Sequence, residues 1–493
     1  MSKRPSRASA AQGPGLWDSR IQALVSRWAL AIALCCLVIG GLRIASTWRQ
    51  LGLTFDEPQH YACGLQYLSR HVYTYEPQHP PLARVMTAVL PYLAGVRTSG
   101  NPDREAEGVG LLINSSNPDG MLECMRAGIL PFFFLGGMVV FYWTRHVFGA
   151  AAAALAVLLY SLIPPVLAHG GLATTDMALA ACLTWAFYSL VRWAEAPSPR
   201  RGVMLGVATA AAVLSKFTTL AFFPMAAIFA LLFWYLAARP DGATVARLAR
   251  ERAASFGIAI ATGAFLIWAM YFFSFSGVPA PALFTGIGDV LKHNAEGHPS
   301  YLLGQNGTRG WWYYFPVALS VKTPLAILLL CGFGICISVK SRQVGALMPL
   351  AFAAGILLPA MLGNVNIGVR HILPVYLAMA MLAGAGLVRL AQKNAFVAAF
   401  MVLWTALSGG ISHPDYLAYF NEFALGDPES FLVDSDLDWG QSTKPLAARL
   451  KQLGATQVKS ESATAAARIS RLGLAFPRSR PSIRRSPRRG GPP

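Results

Sequence analysis

Charge is what this sequence is short of. Only 13% of its 493 residues are charged, against about a quarter in ordinary soluble domains. Together with 55% hydrophobic residues and long apolar runs along the whole length, that shortage excludes a soluble globular protein. Short segments of strict apolar–polar alternation, which would mark a membrane barrel, are missing too. Cysteine is scarce: seven in all, and Cys35, Cys36, Cys182, Cys331 and Cys336 lie inside apolar runs, where thiols serve as small hydrophobes. No CxxC pair points to zinc. Cys63 and Cys124 fall in predicted external segments; a disulfide between them is admissible there and is not expected.

What remains is an all-α polytopic membrane protein. Its net charge of +18 does not mark a nucleic-acid binder, because the excess sits in short loops and in the two tails, as the positive-inside rule requires. Residues 1–20 are polar and basic and place the N-terminus in the cytoplasm. The run from about Ile21 to Ile44 is too long for a signal-peptide core and lacks a clear cleavage site, so it reads as the first span. Further spans are expected at roughly 126–144, 150–168, 172–193, 202–215, 218–237, 255–273, 323–339, 344–362, 371–388 and 395–411, about eleven in all. Arg145, Arg200, Arg201, Lys340, Arg342, Arg389 and Lys393 then fall on the side of the N-terminus.

The transmembrane domain accordingly covers 21–411 and holds a large external loop, 48–125. Within that loop, residues 81–97 are too interrupted for a span and read as a helix lying at the interface. The long external loop 274–322 ends in GWWYYFPVALSVKTP, an aromatic belt suited to headgroup depth. Residues 412–460 form an external C-terminal segment that reads as the start of a small soluble region. Residues 461–493, with eight Arg and no Lys, are a basic low-complexity tail, disordered by composition. A strongly basic tail outside breaks the charge rule. Composition changes abruptly after about Ser460, so the tail is read as not the natural end of the chain.

The chemistry is expected in residues 54–84, TFDEPQHYACGLQYLSRHVYTYEPQHPPLAR. Asp56 and Glu57 open it, and His79, Pro80, Pro81 and Arg84 close it. Arg84, Arg126, Lys216, Lys322 and Arg370 all fall at or near outer helix ends, where the charge rule gives cations no advantage. Snorkelling accounts for any one of them; five converging on one face suggest a bound polyanion, and a lipid phosphate is the simplest. Thr54 to Glu57 also fits a helix-capping box, with Pro58 in the first turn. Adjacent carboxylates project about 100° apart on a helix and cannot flank one bond as glycosidase pairs do. One carboxylate acting as general base is the better reading, provided that the leaving group is a phosphate, which needs charge neutralisation rather than a proton. Such a displacement inverts the anomeric centre. Pro81 starts a helix whose free N–H groups, with Arg84, offer an anion site. Asp176 heads a helix and is either a cap or an acceptor-side or base-orienting carboxylate.

The stretch VDSDLDWGQ, with Asp434, Asp436 and Asp438, imitates a calcium loop. Its glycine comes one position late, at Gly440, and Pro445 stands twelfth, so the pattern fails. The sequons at Asn114 and Asn306 carry meaning only in a eukaryote.

FDEPQHYACGLQYL, HPPLAR, MRAGILP, LAHGGLATTD, GWWYYFPVALSVKTP and GVRHILPVY occur in this order. In that combination the chain resembles, over roughly residues 50–445, the family 39 glycosyltransferases and their phospholipid-carrier-dependent relatives, protein O-mannosyltransferases and lipid A aminoarabinose transferases among them. The resemblance implies a GT-C fold with interfacial helices in the first external loop. It implies a polyprenyl-phosphate sugar as donor, used on the outer face of a bacterial inner membrane, and an acceptor hydroxyl on protein, glycolipid or glycan. By resemblance Asp56 matches the proposed catalytic aspartate, Glu57 its acidic neighbour, and Arg126 an arginine implicated in activity. Arg84 replaces a common lysine. Arg84, Arg126, Lys216 and Arg370 are expected to bind donor phosphate, and His79, Asp176, Lys322 and His371 to position substrate. No nucleotide, flavin or metal is implied, although assistance by a divalent ion stays open. After about residue 460 the sequence departs from the pattern of the relatives, which continue into a folded external domain. A rival class is a transporter or flippase of lipid-linked sugars, which would want inverted repeats and ionisable groups at the bilayer midplane; no clear repeat is visible. A scaffold with a dead site is the third alternative.

Overall fold

A computed structural model describes residues 19–455; the expected tail 461–493 and nearly all of the basic N-terminus lie outside the described residues. Helices α1 (Ser19–Arg27) and α2 (Ala29–Thr47) lead to four short helices, α3 (Glu57–Arg70), α4 (Pro81–Leu93), α5 (Arg104–Ile113) and α6 (Pro118–Ala127). The bundle continues through α7 (Leu130–Phe148), α8 (Ala150–Tyr160), α9 (Pro164–Gly170), α10 (Asp176–Glu195), α11 (Pro199–Ser215), α12 (Thr219–Ala238) and α13 (Gly242–Met270). Two small antiparallel hairpins, β1 (Phe275–Ser276) with β2 (Val278–Pro279) and β3 (Ser300–Leu302) with β4 (Gln305–Gly307), flank α14 (Pro281–Glu296). Then come α15 (Tyr314–Lys322), α16 (Leu325–Ser341), α17 (Val344–Leu362), α18 (Pro374–Lys393), α19 (Ala395–Ile411) and α20 (Thr443–Gln452).

This is a multi-pass membrane protein. Among the described residues seven helices are long and apolar enough to cross a bilayer, or up to nine if each bent pair counts as one span. The bent pairs are α8 with α9, at 68°, and α15 with α16, at 116°. Pro164 and Pro324 stand at the two breaks, each removing an N–H that a continuous helix would need. Helix α4 stops at Leu93 rather than at 97.

Burial sorts the helices. In α18, 89% of the apolar window is buried, against 11% in both α12 and α13. The first is apolar all round because protein surrounds it; the other two present Leu231, Leu236, Ile260 and Phe265 to lipid. Contact between α8 and α18 depends on small residues, as is common where lipid offers no hydrophobic drive for helices to associate. A Cβ at Gly384 would lie 2.7 Å from the Ala156 Cβ and 2.8 Å from the Ala152 carbonyl oxygen.

The traverses leave Asp56, Asp176, Lys216 and Arg370 at one end of the bundle. At the opposite end His146 meets Glu195 at 2.8 Å beside Arg192. Helices α3 to α6 roof the first end, with α3 so close to α4 that a Cβ at Gly64 would collide with the Arg84 carbonyl. Residues 412–455 fold back over the same end. The Gly52 N–H donates to the Gln441 carbonyl at 2.7 Å, Phe55 N–H to the Trp439 carbonyl at 3.0 Å and Asn421 N–H to the Val321 carbonyl at 2.8 Å. All seven cysteines are free thiols; Cys63 is buried against Tyr73 and Leu214, and no disulfide joins it to Cys124.

Candidate active site

The loop between α2 and α3 sends its two carboxylates in different directions. Glu57 turns inward and is fully buried. Its Oε1 accepts from Arg126 Nε (2.8 Å) and Ala173 N–H (2.9 Å); its Oε2 accepts from Arg126 Nη2 (2.9 Å) and Thr54 N–H (2.8 Å). Burial pushes the Glu57 carboxyl up, but the Arg126 guanidinium and the two N–H groups override it and hold it below the ordinary range. Only half of the expected capping box forms. Glu57 takes the Thr54 N–H, while the Thr54 hydroxyl has no partner. Arg126 also donates to the Trp48, Leu51 and Gly52 carbonyls. This pair fastens the loop to the bundle: both Glu57 carboxylate oxygens are engaged, and the N–H groups of Arg126 are spent on Glu57 and backbone carbonyls rather than left for a phosphate.

Asp56 keeps a fifth of its side chain exposed. Its Oδ2 accepts from Arg370 Nη1 at 2.8 Å and its Oδ1 from Gln59 Nε2 at 3.0 Å. Arg370 stacks on the Trp439 indole, 4.0 Å from guanidinium carbon to ring centroid, and gives its Nε to the Ile367 carbonyl at 3.0 Å. Its Nη2 makes no hydrogen bond among the described residues.

The five cations divide. Arg84 is fully buried and spends its donors on His60, the Tyr73 hydroxyl, the Glu76 carboxylate and backbone carbonyls. It organises the loop, with its donors spent on protein groups rather than left for a phosphate. Lys322 is equally buried, donating to the Leu417 (2.7 Å) and Asp436 (2.5 Å) carbonyls, and it ties down the C-terminal segment instead of positioning substrate. Lys216 and Arg370 remain. Lys216 sits just past the end of α11 and meets Asp176 at 2.7 Å. Asp176 also accepts from the Thr174 hydroxyl at 3.2 Å.

Three histidines complete the cluster. His79 lies beside the Glu76 carboxylate at 3.3 Å and edge-on to His60. Burial, with Lys216 adding, pushes its pKa down to about 4, against the opposing pull of Asp56 and Asp176. His371 stacks on Phe315 and meets Phe222 edge-on; burial and then Lys216 push it down to about 3. His169, from LAHGG, is fully buried with neither ring nitrogen partnered.

Sequence reasoning did not single out His169, nor Trp439 and Gln59, which surround Asp56 through Arg370 and directly. The three aspartates of VDSDLDWGQ diverge. Asp436 is buried and accepts from Val369 N–H (3.0 Å) and the Tyr314 hydroxyl (3.3 Å), Asp438 accepts from Gly440 N–H, and Asp434 is exposed.

Comparison with known proteins agrees with this architecture. The family of dolichyl-phosphate-mannose-protein mannosyltransferases matches residues 132–268, a stretch that holds Asp176 and Lys216 but not Asp56. ArnT from Cupriavidus metallidurans, solved bound to undecaprenyl phosphate, superposes with a TM-score of 0.56 at 16% identity, covering 91% of this chain and 74% of ArnT. Its apo state gives 0.53 at 17% identity, covering 92% and 74%. A search of curated proteins returns no match. The fold is that of the GT-C glycosyltransferases. The likeness to ArnT is one of fold, and the mannosyltransferase family matches residues 132–268 alone.

Proposed function

We propose that this protein transfers a sugar from a polyprenyl-phosphate donor to an acceptor hydroxyl, with inversion, at the outer face of a bacterial inner membrane. One observation carries the reading: the Asp56 carboxylate, partly open to solvent, lies 2.8 Å from Arg370 at the end of the bundle where Lys216 and Asp176 also meet. The undecaprenyl phosphate in the similarly folded ArnT supports a lipid phosphate as the leaving group.

In this mechanism Asp56 accepts the proton of the acceptor hydroxyl as that oxygen attacks the anomeric carbon. The bond from that carbon to the phosphate oxygen breaks, and polyprenyl phosphate leaves with one further negative charge. The free Nη2 of Arg370 and the ammonium of Lys216 neutralise it, acting where charge develops. Gln59 holds the carboxylate orientation, and Trp439 keeps the guanidinium plane fixed. Neutral His79 and His371 line the cluster without adding charge. The scheme calls on no resident cofactor or metal. The acceptor is a protein, glycolipid or glycan.

The test uses purified protein in nanodiscs with a radiolabelled undecaprenyl-phosphate sugar. Asp56→Asn is expected to abolish label transfer while undecaprenyl phosphate still binds. Undiminished transfer by that variant would overturn the proposal.

A further inference from the structure

Beside the catalytic cluster lies a cavity of about 590 Å³, walled by the β3–β4 hairpin, by Asn366 and Ile367, and by residues 433–435. That volume suits a small ligand. We propose that it is the acceptor subsite and takes a hydroxyl-rich sugar that is neutral or cationic, excluding phosphorylated and carboxylated sugars. This rests on the glycosyltransferase reading above.

Three observations meet here. Among the residues lining the cavity Asp434 is the one carboxylate, and there is no Lys, Arg or His. An anionic ligand would meet Asp434 in the wall itself, while Arg370, behind Ile367, is already paired with Asp56. Next, Asn366 is 97% buried. Its Oδ1 accepts from Trp311 N–H at 2.7 Å, which fixes the amide orientation, and its Nδ2 has no partner. A buried amide donor left empty costs roughly 1–3 kcal/mol, so a small turn of this lining side chain that brings Nδ2 to a ligand hydroxyl is favoured. Lastly, the wall is joined to the chemistry, since Arg370 donates its Nε to the Ile367 carbonyl and its Nη1 to Asp56. His298, next to Pro299 in the lining, feels the charges of Arg370, Asp434 and Asp56 together.

The local backbone supports a built site. Leu303 and Gly304, at the tip of the hairpin, both have positive φ, 49° and 80°, the geometry of a tight two-residue hairpin turn. Asp434 has a φ of 56°, a left-handed conformation that Asp and Asn tolerate better than most residues. A carboxylate, an amide donor and the rings of Tyr301 and Tyr314 around one hollow suit a sugar ring with its hydroxyls. An extended peptide would instead want an open groove.

The test is equilibrium binding to the full chain in nanodiscs of three soluble probes at millimolar concentration: N-acetylchitotetraose (neutral), chitotetraose (cationic) and tetragalacturonate (anionic), with undecaprenyl phosphate bound in a separate arm. The first two are expected to bind and the third is not. Asp434→Asn, which keeps the left-handed backbone, is expected to weaken chitotetraose about tenfold more than N-acetylchitotetraose. Asn366→Asp, which keeps the Trp311 bond but reverses the empty donor, is expected to weaken N-acetylchitotetraose about tenfold. Both variants should bind undecaprenyl phosphate like the parent. Failure of both chito-oligosaccharides to bind, equal binding of tetragalacturonate, or indifference of both variants would overturn the subsite. Failure of undecaprenyl phosphate to bind the parent would instead overturn the donor reading on which the subsite rests.

Discussion

Arg370 donates to Asp56 across 314 residues of sequence, at 2.8 Å. The guanidinium therefore has two tasks in the proposed reaction. It holds the base in place before the donor arrives, and it offers a remaining N–H to the phosphate once charge builds there. An arginine suits this because its rigid fork of donors can address two anions at once, which a lysine ammonium cannot do in a fixed geometry.

Asp56→Asn removes the proton acceptor and keeps the shape. A positioned general base is worth about 10²–10⁴ in rate, so kcat for sugar transfer should fall by that factor with undecaprenyl phosphate affinity nearly unchanged. A transporter of lipid-linked sugars would show no such split between turnover and binding.

Glu57 is expected to behave quite differently from its neighbour. Glu57→Ala leaves Arg126 charged, fully buried and unpaired, which costs about 3–5 kcal/mol. A lowered melting temperature and poor recovery in detergent should follow, measured by thermal unfolding of the purified variant. A Glu57→Ala protein that melted like the parent yet lost activity would restore Glu57 to the chemistry.

Arg84 and Arg370 separate in the same way. Arg370→Lys should weaken undecaprenyl phosphate binding and lower kcat, because one ammonium cannot serve carboxylate and phosphate in the same geometry. Arg84→Lys should lower thermal stability, since the Glu76, Tyr73 and His60 bonds share one guanidinium. Any activity lost should track the folded fraction. Lipid titration of the folded fraction of each variant distinguishes the two.

Histidine protonation sets the acid limit. His79 and His371 are held down to about 4 and about 3, and His60 well below its ordinary value of 6.5, in each case chiefly by burial. Between pH 6.5 and about 4 the unfolded chain takes up protons that the folded chain refuses. Stability from these groups is therefore fully present above pH 6.5 and is lost as the pH falls through that window. Melting temperature should drop on the acid side and stay flat from these groups between pH 7 and 8. A melting temperature that rose on acidification would contradict the neutral imidazoles.

The candidate stretch 54–84 was legible because it breaks pattern. A proline-punctuated run with adjacent carboxylates stands out in a chain otherwise poor in charge, and alternate loops carry Arg and Lys as the charge rule requires. The roles of the five cations were not legible. Each stands near an outer helix end, and sequence position alone does not say whether its donors are spent. Arg126 and Glu57 are 69 residues apart, and nothing in either neighbourhood announces the other. The placement of Trp439 and Asp434 was hidden for a related reason: they lie on a segment that reads as the start of a small soluble region, yet it folds back through the Gly52 and Phe55 hydrogen bonds.

The amino-acid order by itself determined that the chain lives in a bilayer, which faces of the bundle carry cations, and where adjacent carboxylates interrupt a charge-poor sequence. Those properties follow from hydropathy and loop charge, which act on residues close together in the chain. Only the tertiary structure decided that Asp56 stays partly open while Glu57 is buried, that Lys216 and Arg370 keep donors to spare, and that Asn366 and Asp434 line one cavity. Those outcomes depend on which distant groups claim each hydrogen bond first, and that contest is settled by packing.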